Sequence, residues 1–144
     1  VVASGLGIVK GGVAIGNSGR VYISGITANG KGYLAAFSSG NQLLWSTYLP
    51  GVEPPIHAIP TLSPGGESLY IGADDGRFYC LDALSGAVVW SYPVPVGTDR
   101  RVRSGAAYDA NAPNGAAVYF HCFNGFLYAL NAGTGALKWA AATA

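Results

Sequence analysis

The sequence predicts an all-β protein built from three four-stranded antiparallel units, and three observations carry that prediction. Aromatic anchors recur along the chain. Tyr22, Tyr70 and Tyr119 stand 48 and 49 residues apart, and Trp45, Trp90 and Trp139 stand 45 and 49 apart. A fixed period of that size marks a repeat architecture. Gly supplies 22 of the 144 residues, roughly twice the average usage, and it collects at turn positions without a collagen-like spacing. Short apolar runs alternate with turn dipeptides throughout, and no helical period interrupts them.

The first unit spans about residues 8–50. It opens with a short strand, Gly12–Ile15, before the turn Asn17-Ser18-Gly19. Three further strands follow in VYISGITANGKGYLAAFSSGNQLLW (Val21–Trp45), with turns at Asn29-Gly30 and Ser39-Gly40. The second unit, 56–95, begins with Pro60–Tyr70 (PTLSPGGESLY). Leu69–Gly72 is an apolar strand, and Asp75-Gly76 reverses the chain because Gly accepts positive φ at no steric cost. Phe78–Leu81 runs back, Ser85-Gly86 turns again, and Ala87–Tyr92 closes on Trp90. The third unit, 101–141, begins with Gly105–Tyr119 (GAAYDANAPNGAAVY), whose turn is longer than its counterparts. It continues through Val118–Trp139 with turns at Asn124-Gly125 and Thr134-Gly135. Pro50–Pro60 and Pro93–Arg103 join the units, and their prolines suit stiff connections rather than strand interiors. Val1–Gly5 has no counterpart in the repeat.

The strands show no clean apolar/polar alternation. Phe78-Tyr79-Cys80-Leu81 and Phe126-Leu127-Tyr128-Ala129-Leu130 are apolar on both faces, so each sheet has to lie between two other layers. Four short antiparallel strands, covered on both faces and repeated, make the blades of a β-propeller. Three blades do not close a ring, for which four to eight are typical. The terminal blades then expose apolar faces that invite association. The expectation is self-association through those faces, with a homodimer supplying six blades from two chains. The alternative is that further blades belong to a longer chain.

Half the residues are hydrophobic and 10% are charged, which places the chain among globular proteins. A net charge of +1 argues against nucleic acid as a partner. No run approaches the ~20 apolar residues of a membrane helix, so no membrane insertion is expected. The chain contains no Met, which suggests a processed protein or a piece of a longer one. Cys80 and Cys122 are the two cysteines. They read as buried free thiols, and their spacing does not suggest a metal site.

Candidate chemistry is sparse. Asp74, Asp75 and Asp82 form the acidic cluster, but the ladder of oxygen ligands that a calcium loop needs is absent, so no metal is expected. Asp75 reads as the hairpin residue before Gly76. Lys10, His57, Arg101 and Arg103 occupy related places just before the first strands of their units. They could ring one channel mouth and attract a small anionic ligand or an acidic protein partner; the plain alternative is an ordinary solvated linker. His121, between Phe120 and Cys122, reads as a structural histidine. No Ser/His/Asp grouping, phosphate-binding glycine loop or HExxH stands in the chain.

Leu81–Trp90 (LDALSGAVVW) and Leu130–Trp139 (LNAGTGALKW) resemble the L-D-A-x-T-G-x-x-x-W signature of the PQQ-like β-propeller repeat. Ala14–Thr27 and Phe37–Leu49 in the first unit are similar to the SBBP class of bacterial propeller repeats, typical of exported proteins. The resemblance covers about residues 12–139. It implies that the signature Trp packs between neighbouring blades while its Gly permits the turn. Those roles pass to Trp90 with Gly86, to Trp139 with Gly135, and to Trp45. The family includes quinoprotein alcohol dehydrogenases and an outer-membrane assembly lipoprotein, so it implies a periplasmic or extracellular location. It implies two functions. One is a non-catalytic scaffold or binding module. The other is a fragment of a PQQ-dependent dehydrogenase, with quinone and calcium, whose active residues lie outside this chain. The dehydrogenases' adjacent cysteines and acidic calcium ligands match no residue here, so no cofactor is expected.

Overall fold

The computed structural model describes residues 11–95, 97 and 99–143, in which the chain forms three separate antiparallel sheets of four strands each. The first sheet holds β1 (Val13–Ile15), β2 (Val21–Ile26), β3 (Gly32–Phe37) and β4 (Leu43–Tyr48). The second holds β5 (Thr61–Leu62), β6 (Ser68–Gly72), β7 (Arg77–Asp82) and β8 (Val88–Pro93). The third holds β9 (Ala107–Asp109), β10 (Ala117–Cys122), β11 (Phe126–Asn131) and β12 (Leu137–Ala142). Strand order follows chain order in each sheet, as short hairpin turns dictate. No helix among the described residues is long and apolar enough to cross a membrane.

The register explains the aromatic period. Tyr22 lies opposite Ala36, which lies opposite Trp45. Tyr70, Cys80 and Trp90 form the same row in the second sheet, and Tyr119, Ala129 and Trp139 in the third. A small residue at the centre of each row leaves room for the two rings to meet. Their centroids stand 6.1, 6.0 and 5.8 Å apart, at 45–50°, a spacing that favours aromatic attraction. A bulge follows the small residue in all three sheets, which adds local twist.

Two apolar layers hold the sheets together. Leu34, Ala36 and Leu49 meet Leu69, Ile71, Tyr79 and Leu81 between sheets one and two. Tyr70, Phe78 and Cys80 meet Val118, Phe120, Tyr128 and Leu130 between sheets two and three. Successive residues of β6 and β7 therefore face opposite neighbours, as the pleat requires, and the middle sheet is apolar on both sides because both sides are core. The architecture is that of stacked propeller blades. Cys80 and Cys122 are free and buried in the second layer. Burial pushes the Cys80 thiol up to about 11, which keeps it protonated and unreactive at neutral pH.

Seven of the glycines in the turns take φ near +80°, among them Gly30, Gly76 and Gly125 after Asn or Asp, as the dipeptides predict. One turn differs from its expectation. In the Ser39-Gly40 turn the left-handed residue is Asn41, with φ 64°, and not Gly40. This turn closes with the Ser38 amide donating to the Gln42 carbonyl, whereas the later blades close Asp82 to Ala87 and Asn131 to Ala136. The first blade's turn is thus one residue shorter.

Candidate functional site

Connections between blades run over one end of the stack, and three of the four charged residues singled out from the sequence meet there. Lys10 lies outside the described residues. Asp74 sits in the β6–β7 turn, which both connections grip. Its amide donates to the Pro55 carbonyl, and the Val102 amide donates to the Ala73 carbonyl. Arg103 binds Asp74 through two parallel bonds, Nε to Oδ1 at 2.8 Å and Nη2 to Oδ2 at 2.6 Å. His57 Nδ1 approaches the same carboxylate at 3.3 Å, but in a geometry that makes no hydrogen bond. The Asp74 side chain is 13% exposed. Two residues before Arg101, Asp99 takes the Arg101 guanidinium through Nε at 2.9 Å and through Nη2. Hydrogen bonding from Arg101 holds the Asp99 carboxyl down to about 2. Both guanidinium carbons lie over the Phe123 ring, at 5.0 and 5.8 Å from its centroid, within cation–π range.

The cations therefore stand together but each arginine is matched by its own carboxylate. At contact distance the opposite charges cancel most of the field a distant anion would feel. What this arrangement does well is lock the two connections onto the second blade. Replacing Arg103 by Ala is expected to lower stability by about 1–3 kcal/mol, the cost of leaving a largely buried acceptor unpaired. Arg103→Lys recovers part of it, since an ammonium lacks the two-pronged geometry. Arg101→Ala, at an exposed pair, leaves stability nearly unchanged. Urea unfolding of the three variants distinguishes these outcomes.

The acidic residues read from the sequence serve three separate tasks. Asp74 takes Arg103. Asp75 accepts the Arg77 amide and the Tyr79 hydroxyl, and burial with that bond raises the Tyr79 hydroxyl. Asp82 caps its turn by accepting the Leu84 and Ser85 amides. Among the described residues no three His, Cys, Asp or Glu side chains converge on a metal-sized space. Asp74, Asp75 and Asp82 are thus engaged by separate partners and do not converge. His121 shares a 3.3 Å contact between Nε2 and the Thr143 hydroxyl.

The blade staples form the second site. Trp45 Nε1 donates to the Ala83 carbonyl at 3.0 Å, and Trp90 Nε1 to the Ala132 carbonyl at 3.3 Å. Each indole lies on the next blade's left-handed glycine. A Cβ on Gly86 would stand 2.6 Å from Trp45 Cε3, and one on Gly135 would stand 2.5 Å from Trp90 Cε3. The glycine thus serves the previous blade's tryptophan as well as its own turn. The staple runs forward along the chain. Trp139 has no following blade here and is 45% exposed, beside a cleft of about 460 Å³ lined by Pro113, Asn114, Tyr119, Asn131 and Lys138. Trp45 and Trp90 lie in seams between blades and Trp139 does not; sequence reasoning missed Asp74 and Phe123 as partners of the arginines. It also missed Asn41, although it precedes Trp45 by four residues as Gly86 precedes Trp90.

A family model described as outer membrane protein assembly factor BamB matches residues 3–144. Among solved structures, BamB from Moraxella catarrhalis superposes with a TM-score of 0.71 at 25% identity, over 94% of this chain and 37% of that one. Quinohemoprotein alcohol dehydrogenase from Comamonas testosteroni gives 0.73 at 18% identity, over 96% of this chain and 21% of that one. Quinohemoprotein alcohol dehydrogenase ADHIIG from Pseudomonas putida HK5 gives 0.73 at 18%, over 92% and 27%. The chain spans little more than a third of the BamB structure and about a quarter or less of the dehydrogenases. No curated protein matches it significantly in sequence.

Proposed function

The chain belongs to the family of the outer membrane protein assembly factor BamB, and from that premise we propose that it is a non-catalytic propeller scaffold that binds protein in the periplasm. The observation that supports this reading is how the reactive side chains are used. Asp74 is engaged by Arg103, Asp99 by Arg101, and Asp75 and Asp82 by their own turns. Each of these carboxylates is already held by a structural partner, which leaves it poorly placed to take a proton from a substrate. On the third blade, Leu137 and Trp139 are exposed and line one cleft with Tyr119, and exposed apolar surface of that kind marks interaction sites.

The likeness to two quinohemoprotein dehydrogenases supports a second reading, a piece of a quinone-dependent enzyme. Titration with pyrroloquinoline quinone and calcium separates the two. The scaffold reading expects no saturable change in quinone absorbance or tryptophan fluorescence. Uptake of one quinone per chain overturns it.

A further inference from the structure

We propose that the third blade's open face is reserved for a blade with a glycine turn, and that the first blade's turn keeps a second copy of this chain from occupying it. The proposal deepens the scaffold reading by naming the partner's chemistry at the open face. Two filled seams within the chain show what the face accepts. In both, the tryptophan lies on a left-handed glycine and donates to the carbonyl of an alanine three residues earlier, Ala83 before Gly86 and Ala132 before Gly135. Both alanines and both glycines are buried beneath the incoming indole. A turn of Asp or Asn, Ala, any residue, Ser or Thr, then Gly supplies all of these features.

The plug on the third blade is already formed. Tyr119 and Trp139 stand 5.8 Å apart at 45°, the posture that Tyr70 and Trp90 hold inside a filled seam at 6.0 Å and 45°. No ordering of those rings remains to oppose binding, which favours affinity. Among the described residues, no acceptor meets the Trp139 indole N–H.

The first blade does not offer the matching socket, for two separate reasons. Its turn is one residue shorter. The residue four before Trp45 is Asn41, whose φ of 64° copies the glycine but whose Cβ and amide occupy the space an indole needs. In the filled seams a Cβ there would lie 2.5–2.6 Å from the ring, closer than van der Waals contact allows. Blade three of one copy therefore has no seat on blade one of another. The six-bladed homodimer that blade number suggests is blocked at this turn.

The test uses the intact chain and two variants. In the first, Ser39-Gly40-Asn41 is replaced by Ala-Leu-Ser-Gly, the residues of the second blade's turn. The second carries the same graft with Trp139→Ala, so it offers a socket and no plug. Masses are read by light scattering at about 100 µM, a concentration at which even a contact worth ~5.5 kcal/mol is half formed. The wild-type chain is expected at its monomer mass of 14.7 kDa. The graft alone is expected to assemble into multiples, and wild type mixed with the socket-only variant to form a one-to-one pair. Circular dichroism confirms folding of each. If the graft does not fold, Asn41→Gly with Trp139→Ala replaces the socket-only variant. Wild-type multimers that Trp139→Ala dissolves would overturn the proposal in favour of a second copy. Absence of a pair between wild type and a folded socket variant would overturn it in favour of a different partner. Quinone uptake would remove the scaffold reading and leave these mass outcomes standing.

Discussion

Phe78→Ala is expected to lower the free energy of unfolding by about 3–5 kcal/mol, the range for removing a buried aromatic ring. Phe78 is fully buried and lies in a column of rings across the seam of the second and third blades. It stacks on Phe120 at 4.2 Å and 5° and lies parallel to Tyr70 at 6.5 Å, while Phe120 stacks in turn on Tyr128 at 5.2 Å. Removing the ring opens a cavity between two blades that cannot collapse, because β6, β7, β10 and β11 are held apart by their own hydrogen bonds. Typical domains have 5–15 kcal/mol in total, so one such loss takes a large share. Phe78→Leu retains most of the volume and is expected to cost far less. Urea unfolding followed by fluorescence measures both. A loss below about 1 kcal/mol for Phe78→Ala would mean that the seam does not carry stability.

Gly135→Ala is the second large effect, expected at about 2–5 kcal/mol from left-handed strain together with overpacking. The comparison that separates the two contributions is Gly30→Ala. Gly30 has φ 81° and Gly135 φ 75°, so the backbone strain is alike. A Cβ at Gly30 meets nothing within 4 Å, whereas at Gly135 it meets Trp90 Cε3 at 2.5 Å. The excess cost at Gly135 is the price of moving the indole. It should fall when Trp90 is also replaced by Leu, because the two residues share one contact. Additive losses in that cycle would show that the glycine serves its turn alone.

These two positions show where sequence reasoning reached and where it stopped. Tyr22, Tyr70 and Tyr119, with the three tryptophans, revealed the blades because each row of the register places one Tyr and one Trp on the same face. The Asn-Gly and Asp-Gly turns were legible because the left-handed φ they need depends on the residue itself. Asn41 was passed over since the neighbouring Gly40 looked sufficient for a turn. Its meaning appears only when a tryptophan from another blade is seen lying on the equivalent glycine. The charged residues divide in the same way. Arg101 pairs with Asp99 two residues away, within reach of local inspection. Arg103 pairs with Asp74 across 29 residues, and nothing in the intervening sequence signals it.

The strands, all but one of the turns, the three-blade repeat and the double-sided apolar middle sheet were legible in the residues themselves. Those follow from backbone preferences and a side-chain period of two, which neighbouring residues settle among themselves. Only the packing of the sheets shows that Trp45 and Trp90 reach forward to the next blade's glycine and that Arg101 and Arg103 are met by carboxylates. These depend on how one sheet is rotated and offset against the next. That offset is set by the packing of whole faces, Phe78 on Phe120 and Tyr79 against the first blade, and no single segment encodes it.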